Sequence, residues 1–304
     1  MNKIFLTALT IAAMASCSKE TEKIDSIGDS RIVFGSSIEA VTRVTDSDKQ
    51  FSNGDKICVI GYREATATAT TNFATPFMNK AEFTYNNSKF TSTDATAFWK
   101  RGMAHNFYAY YPSNLTINAL TATAPTATLT VAANTGIGFD VMQANAETAV
   151  FDKTSTSAAL SFTHRLSKVK FNVIKEANAP LSNLTVVKFT MANNTGTLNV
   201  ATGEVTNSGS NVVLSKTATE TETQEITTTA ALALKTEWVV LPKDKISDVK
   251  LTINGMELTA TNLAGTITAA GKITTITITV KATGIEITSA ITPWVEDPKD
   301  GTVG

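Results

Sequence analysis

The side chains able to do chemistry in this chain are few and poorly grouped. Two histidines (His105 and His164), two cysteines (Cys17 and Cys58) and scattered carboxylates are the obvious candidates for metal binding, nucleophilic attack or acid–base work. A zinc site needs three or four His, Cys or carboxylate ligands at short regular spacings, and no such spacing occurs. There is no Gly-x-Ser-x-Gly elbow, and neither cysteine stands with a histidine and a plausible third partner. Gly54-Asp55 and Gly136-Ile137-Gly138 read as turns, because neither joins a strand to a helix as a phosphate loop does. Each histidine lies inside an alternating strand pattern and reads as a packed residue. Phe107-Tyr108-Ala109-Tyr110-Tyr111-Pro112 offers a sugar-stacking surface, although aromatics on both faces of a strand are more often core plus surface. The expectation is a protein that is not an enzyme and uses no metal and no cofactor.

One cysteine does point to chemistry, performed on the chain rather than by it. Met1 to Lys3 form a short basic start, and Ile4 to Met14 form an apolar stretch. That stretch falls short of the ~20 residues needed to span a bilayer, and small residues follow it, which is the layout of a secretory signal. Met14-Ala15-Ser16-Cys17 resembles a lipobox, whose thiol is acylated before the signal is removed. Two or more acyl chains give stable membrane anchoring. Ser18 to Lys23 are polar, without core-forming periodicity, and read as a tether. This charged stretch resembles the surface-export signals of Bacteroidetes lipoproteins, and Asp25-Ser26-Ile27 resembles a short O-glycosylation motif of that phylum. Cys58, alone in the mature chain, has no partner for an internal disulfide and reads as a small buried hydrophobe.

The elements that position these groups are strands. Of 304 residues, 42% are hydrophobic and only 17% charged, with a net charge of −1. The near-neutral balance argues against nucleic acid, which needs concentrated Lys and Arg. A sandwich takes about 100 residues, so the length suggests two domains. Threonine is strongly over-represented, and a β-branched residue with a polar tip suits the solvent face of a strand. Alternation is clear at Val169, Phe171 and Val173, and again at Ile276, Ile278 and Val280. Residues 249–260 alternate on both sides of Asn254-Gly255, a pair that tolerates the positive φ of a type I′ hairpin turn. Further strands are expected at 57–62, 105–111, 127–132, 196–200, 237–241 and 285–291. No sustained 3.6-residue period occurs, so the class is all-β.

Several segments in order resemble the fimbrillin family of Bacteroidetes, subunits of protease-assembled pili (the Mfa-like fimbrillins). They are Val41-Thr42-Arg43-Val44-Thr45, Phe51 to Ile57, Phe107 to Pro112, Leu160 to Val169, and Ile291-Thr292-Pro293-Trp294. The resemblance implies two tandem transthyretin-like antiparallel β-sandwich domains. It also implies export through the periplasm as an outer-membrane lipoprotein, proteolysis after an arginine, and polymerisation by strand exchange into a pilus serving cell adhesion. Arg43 matches the processing position. Arg31 fits less well, because cleavage there retains the strand that follows. The expected layout is a signal over 1–17, a tether over 18–30, and sandwiches over 31–154 and 155–304. Implied partners are further copies or related pilins, a lipid anchor in the outer membrane, and a host or bacterial surface receptor. The alternative is a monomeric surface lipoprotein that binds glycans or host ligands.

Two strings share spacing: Ile32-x-Phe34-x-Ser36-x-Ile38, before Arg43, and Ile285-x-Ile287-x-Ser289-x-Ile291, near the C-terminus. The first is expected to be a removable placeholder and the second, or a strand close to it, the donor, with a fixed core strand as the alternative for residues 285–291. Replacing Cys17 by Ala is expected to abolish incorporation of fatty acid, read by metabolic labelling with an alkyne palmitate. Undiminished labelling would place the lipid elsewhere.

Overall fold

An alternating strand exposes a row of backbone donors and acceptors and one apolar face, and both must find partners. The computed structural model describes residues 30–38, 51–148, 150–151, 157–217, 224–228, 232–233, 237–261 and 267–293. Among them every regular element is a strand. No helix among them is long and apolar enough to cross a membrane. The chain begins with β1 (Val33–Ile38), β2 (Lys56–Glu64), β3 (Met78–Asn86), β4 (Lys89–Thr91), β5 (Ala104–Tyr111), β6 (Thr126–Thr130), β7 (Met142–Glu147) and β8 (Ser157–His164). It continues with β9 (Ser167–Lys175), β10 (Asn183–Met191), β11 (Thr195–Asn199), β12 (Val205–Ser208), β13 (Val212–Thr217) and β14 (Gln224–Glu225). The last strands are β15 (Leu232–Ala233), β16 (Trp238–Val240), β17 (Ile246–Ile253), β18 (Met256–Thr261), β19 (Lys272–Lys281) and β20 (Gly284–Pro293).

Four sheets result. The first closes on itself in the order β1-β4-β3-β2-β5-β7-β8. Two sheets face each other across the second core, β13-β10-β17-β18 and β15-β9-β19-β20, with β14 added to β10 and β16 to β9. A small sheet, β12-β11-β6, completes the set. The all-β expectation holds. The anticipated hairpin is β17–β18, where Asn254 and Gly255 adopt φ of 49° and 79°. Asn254 also ties the turn to its neighbour, since its Oδ1 accepts from the Asn183 N–H at 2.8 Å. Most pairings are antiparallel, but β1 runs parallel to β8 and β9 parallel to β19. Alternation says which face is apolar and nothing about direction.

Two apolar cores follow from the alternation. Val169, Phe171 and Val173 of β9, Val249, Leu251 and Ile253 of β17, and Ile276, Ile278 and Val280 of β19 are all fully buried in one. At its centre Phe171, Phe189 and Trp238 meet with ring centroids 5.2–5.7 Å apart. Trp238 Nε1 donates to the Asn134 carbonyl at 3.0 Å, which meets the need of a buried indole. The other core fills the closed sheet. Strands β2 and β5 serve both: Ile57 and Val59 point into the closed sheet, whereas Cys58, Ile60 and Tyr62 join the larger core. Their outer face is dry because Leu115, Ile117, Leu129 and Ile137 cover it.

Hydrogen bonds cross the anticipated 154/155 division in both directions. Strand β8, beyond it, completes the first sheet, and β6, before it, pairs with β11. Polar side chains stitch the same seam. Gln143 Nε2 donates to the Val200 carbonyl at 2.7 Å, and Arg165 Nη2 donates to Gln143 Oε1 at 2.6 Å. Gly203, at φ +72°, lies against the Arg165 guanidinium so closely that a Cβ would overlap it.

One buried carboxylate holds the entry to β17. Asp244 accepts from the Asn193 N–H at 3.1 Å, from Asn193 Nδ2 at 2.8 Å and from the Lys245 N–H at 2.9 Å. Removing it leaves those donors short of partners, and hydrogen bonds to charged groups contribute about 1.5–3 kcal/mol each. Asp244→Ala is therefore expected to cost at least about 2 kcal/mol, measured by urea unfolding. A loss within a few tenths of a kcal/mol would show that water replaces the carboxylate.

Candidate functional site

The closed sheet depends on the place of β1. On one side it pairs with β8 over six positions, from Val33 opposite Ser157 to Ile38 opposite Phe162. On the other it meets β4 at Phe34–Phe90 and Gly35–Lys89. Just before β1, Ile32 N–H donates to the Ala97 carbonyl and Trp99 N–H to the Ser30 carbonyl, each at 3.0 Å. Without β1, the order β4-β3-β2-β5-β7-β8 is an open sheet with two unpaired edges. β1 is the staple that closes it.

Its side chains anchor it. Phe34 is 0% and Ile32 1% exposed, and Ile38 packs partly buried on the same core. The Phe34 ring stands edge-on to Phe83 and Phe107, with centroids 4.9 Å away in both cases. Arg31, ahead of the strand, donates from Nη1 to the Ser92 and Asp94 carbonyls at 3.2 and 3.1 Å. Its guanidinium carbon also lies 4.6 Å from the Phe98 ring centroid. Ile32, Phe34 and Ile38 are thus brought together in one core. Cys17, Ser26 and Arg43 lie outside the described residues.

Strand β20 differs in kind. It pairs with β19 over ten positions, and no other strand is bonded to it among the described residues, so it is a sheet edge. In that register Ile285, Ile287 and Ser289 oppose Val280, Ile278 and Ile276, which face the core. Ile285 and Ile287 are only partly buried, and Ile291 is 51% exposed. Strand β20 therefore covers its core loosely where β1 fills its own tightly. The two strings of similar spacing occupy different sheets.

The groups considered for chemistry are used for packing. His105 is fully buried; burial, reinforced by the nearby Arg63 charge, pulls its imidazole down to about 4. Neutral at physiological pH, its Nε2 accepts from the Lys100 N–H at 3.1 Å. His164 Nδ1 lies 2.6 Å from Asp140 Oδ2. Cys58 is buried, and burial pushes its thiol up to about 11, away from nucleophilic use. Phe107, Tyr108 and Tyr110 are buried and offer no stacking platform. Among the described residues no group of three metal-ligating side chains occurs.

A family model for fimbrillin-like proteins matches residues 42–294. The chain belongs to the fimbrillin-like family. The fold is shared with solved structures of other proteins, among them these three. A candidate cell adhesion protein of Bacteroides ovatus is 18% identical, with a TM-score of 0.64, over 88% of this chain and 99% of that one. One of Bacteroides uniformis is 22% identical, with a TM-score of 0.59, over 88% and 100%. A fimbrial protein of Bacteroides vulgatus is 14% identical, also with a TM-score of 0.59, over 86% and 99%. No curated protein matches. As a fimbrillin-like protein the chain is structural rather than enzymatic.

Sequence reading found the strand of this fimbrillin-like chain but missed the walls around it. Phe83 on β3, Phe90 on β4 and Ala158, Leu160 and Phe162 on β8 frame the groove. The alternation of Ala158, Leu160 and Phe162 was visible; that β8 accepts a parallel neighbour from more than a hundred residues earlier was not. Truncating a fully buried Phe costs about 3–5 kcal/mol. Phe34→Ala is expected to fall in that range by urea unfolding of the protein with β1 in place. A loss under about 1 kcal/mol would mean that the groove closes without its plug.

Proposed function

We propose that this fimbrillin-like protein is a subunit of a surface pilus, assembled by exchanging its first strand for one from a neighbouring subunit and serving cell adhesion. The observation that carries the reading is the position of β1: one short strand near the N-terminus closes the sheet, and Arg43 follows it. Cleavage after Arg43 severs β1 from the folded body, whereas cleavage after Arg31 leaves it attached. Loss of β1 frees the backbone of β8 and β4 and opens the pocket of Phe34. Such a groove takes up a strand by β-augmentation, with backbone bonds giving affinity and side-chain pockets giving specificity.

The proposed donor is β20. A strand held by one neighbour and covering its core loosely leaves at lower cost than one paired on both sides. In the matched register Ile285, Ile287 and Ile291 enter the places of Ile32, Phe34 and Ile38, in a further copy or in a related pilin. Export through the periplasm with acylation at Cys17 would hold the precursor at the outer membrane until the cut releases it. The body divides best between β8 and β9, near Arg165–Leu166, because β8 closes the first sheet; the layout is then two units behind a signal and tether.

The test is the N-terminus of the protein recovered from the cell surface. Val44 in high-mass assemblies, with Arg43→Ala leaving an intact monomer, supports the reading. Assemblies that retain residues 18–43 would overturn it. A chain ending at Gly284 is expected to be cut normally yet to cap filaments rather than extend them. Unimpaired extension would exclude β20 as donor.

A further inference from the structure

The groove that β1 occupies is shaped for more than an alternating apolar strand. Ala158 stands opposite Phe34 on β8 and Phe90 opposite it on β4, so a small residue leaves room on one side and a ring walls the other. Phe83 and Phe107, both fully buried, present their rings edge-on at 4.9 Å. Close-packed interiors do not collapse freely around a smaller side chain, and an edge-to-face cluster keeps its geometry only with a ring at its centre. Three positions earlier the strand is flanked by a solvent-exposed cation that reaches polar and aromatic partners. The Ser92 and Asp94 carbonyls receive Arg31, and the Phe98 ring lies against the guanidinium. Beside them a polar recess of about 370 Å³ is lined by Glu82, Thr84, Thr91, Ser92, Thr93 and Asp94, with Glu82 already ion-paired to Lys56 at 2.8 Å.

The chain's own C-terminal strand meets these demands only in part. Aligned by spacing, it supplies Ile285, Ser289 and Ile291 for Ile32, Ser36 and Ile38. It offers Ile287 where the groove holds Phe34, and Gly284 where it holds Arg31.

Building on the strand-exchange reading above, we propose that this groove selects the donor strand of a different subunit, one with a basic residue three positions before an aromatic. β20 of this chain is then directed to another subunit's groove, and the protein occupies a mixed filament rather than a homopolymer.

The experiment uses the full-length protein with a site-specific protease sequence replacing residues 41–45, cut after folding. Three fluorescent peptides compete with the severed segment: residues 30–38, residues 283–291, and residues 283–291 carrying Gly284→Arg and Ile287→Phe. Entry is read by anisotropy. The expected result is that the 30–38 peptide binds at least about tenfold more tightly than the 283–291 peptide, with the double substitution recovering most of the difference. Equal binding of the two unsubstituted peptides would overturn the proposal and make the groove self-complementary. Binding of 30–38 without recovery by the double substitution would overturn the assignment of selectivity to Arg31 and Phe34. Failure of even the 30–38 peptide to enter would overturn the strand-exchange reading itself.

Discussion

The closure of the first sheet by β1 is the constraint on which the rest of the molecule turns. A sheet with unpaired edges must cover them, blunt them or pair them, and here both edges are satisfied by a single six-residue strand. The strand is short, and its closing role rests on few residues. It also carries a fully buried phenylalanine, so its departure opens an apolar pocket as well as a row of backbone groups.

The arrangement of the cores limits what such a departure disturbs. Phe34 belongs to the core enclosed by the closed sheet, whereas the larger core is built from β9, β10, β17 and β19 together with the outer faces of β2 and β5. Those two strands are packed on both faces and join the cores physically. Polar groups reinforce the junction through Gln143, Arg165 and Gly203. The larger core is thus supported by packing that β1 does not contribute to, which suits a structural protein.

The surface matches that role. Solvent faces are dressed with threonine and with cross-strand ion pairs such as Lys250–Glu257 and Lys281–Glu286. Exposed pairs of this kind contribute little to stability, typically 0–1 kcal/mol. Their use is to keep many strands soluble while leaving edges to be managed individually. The histidines and the thiol of Cys58, the first places to look for chemistry, are absorbed into packing.

The sequence alone determined the class, the strands with strict alternation, the Asn254-Gly255 turn and the resemblance that the family match bears out. These are local properties: period, turn chemistry and ordered short motifs are written in consecutive residues. It also singled out Ile32, Phe34 and Ile38 as one apolar face. What it left open were the relations between distant segments. Nothing in Ser157–His164 announces a parallel partner at Val33–Ile38, and nothing in Gly284–Pro293 says whether that strand lies at an edge or in the middle of its sheet. Alternation fixes a face but is silent on neighbour, direction and register, because the same side-chain period serves every pairing. Those choices fall to tertiary packing, which set Phe34 among Phe83, Phe90 and Phe107 and so made a groove out of a strand.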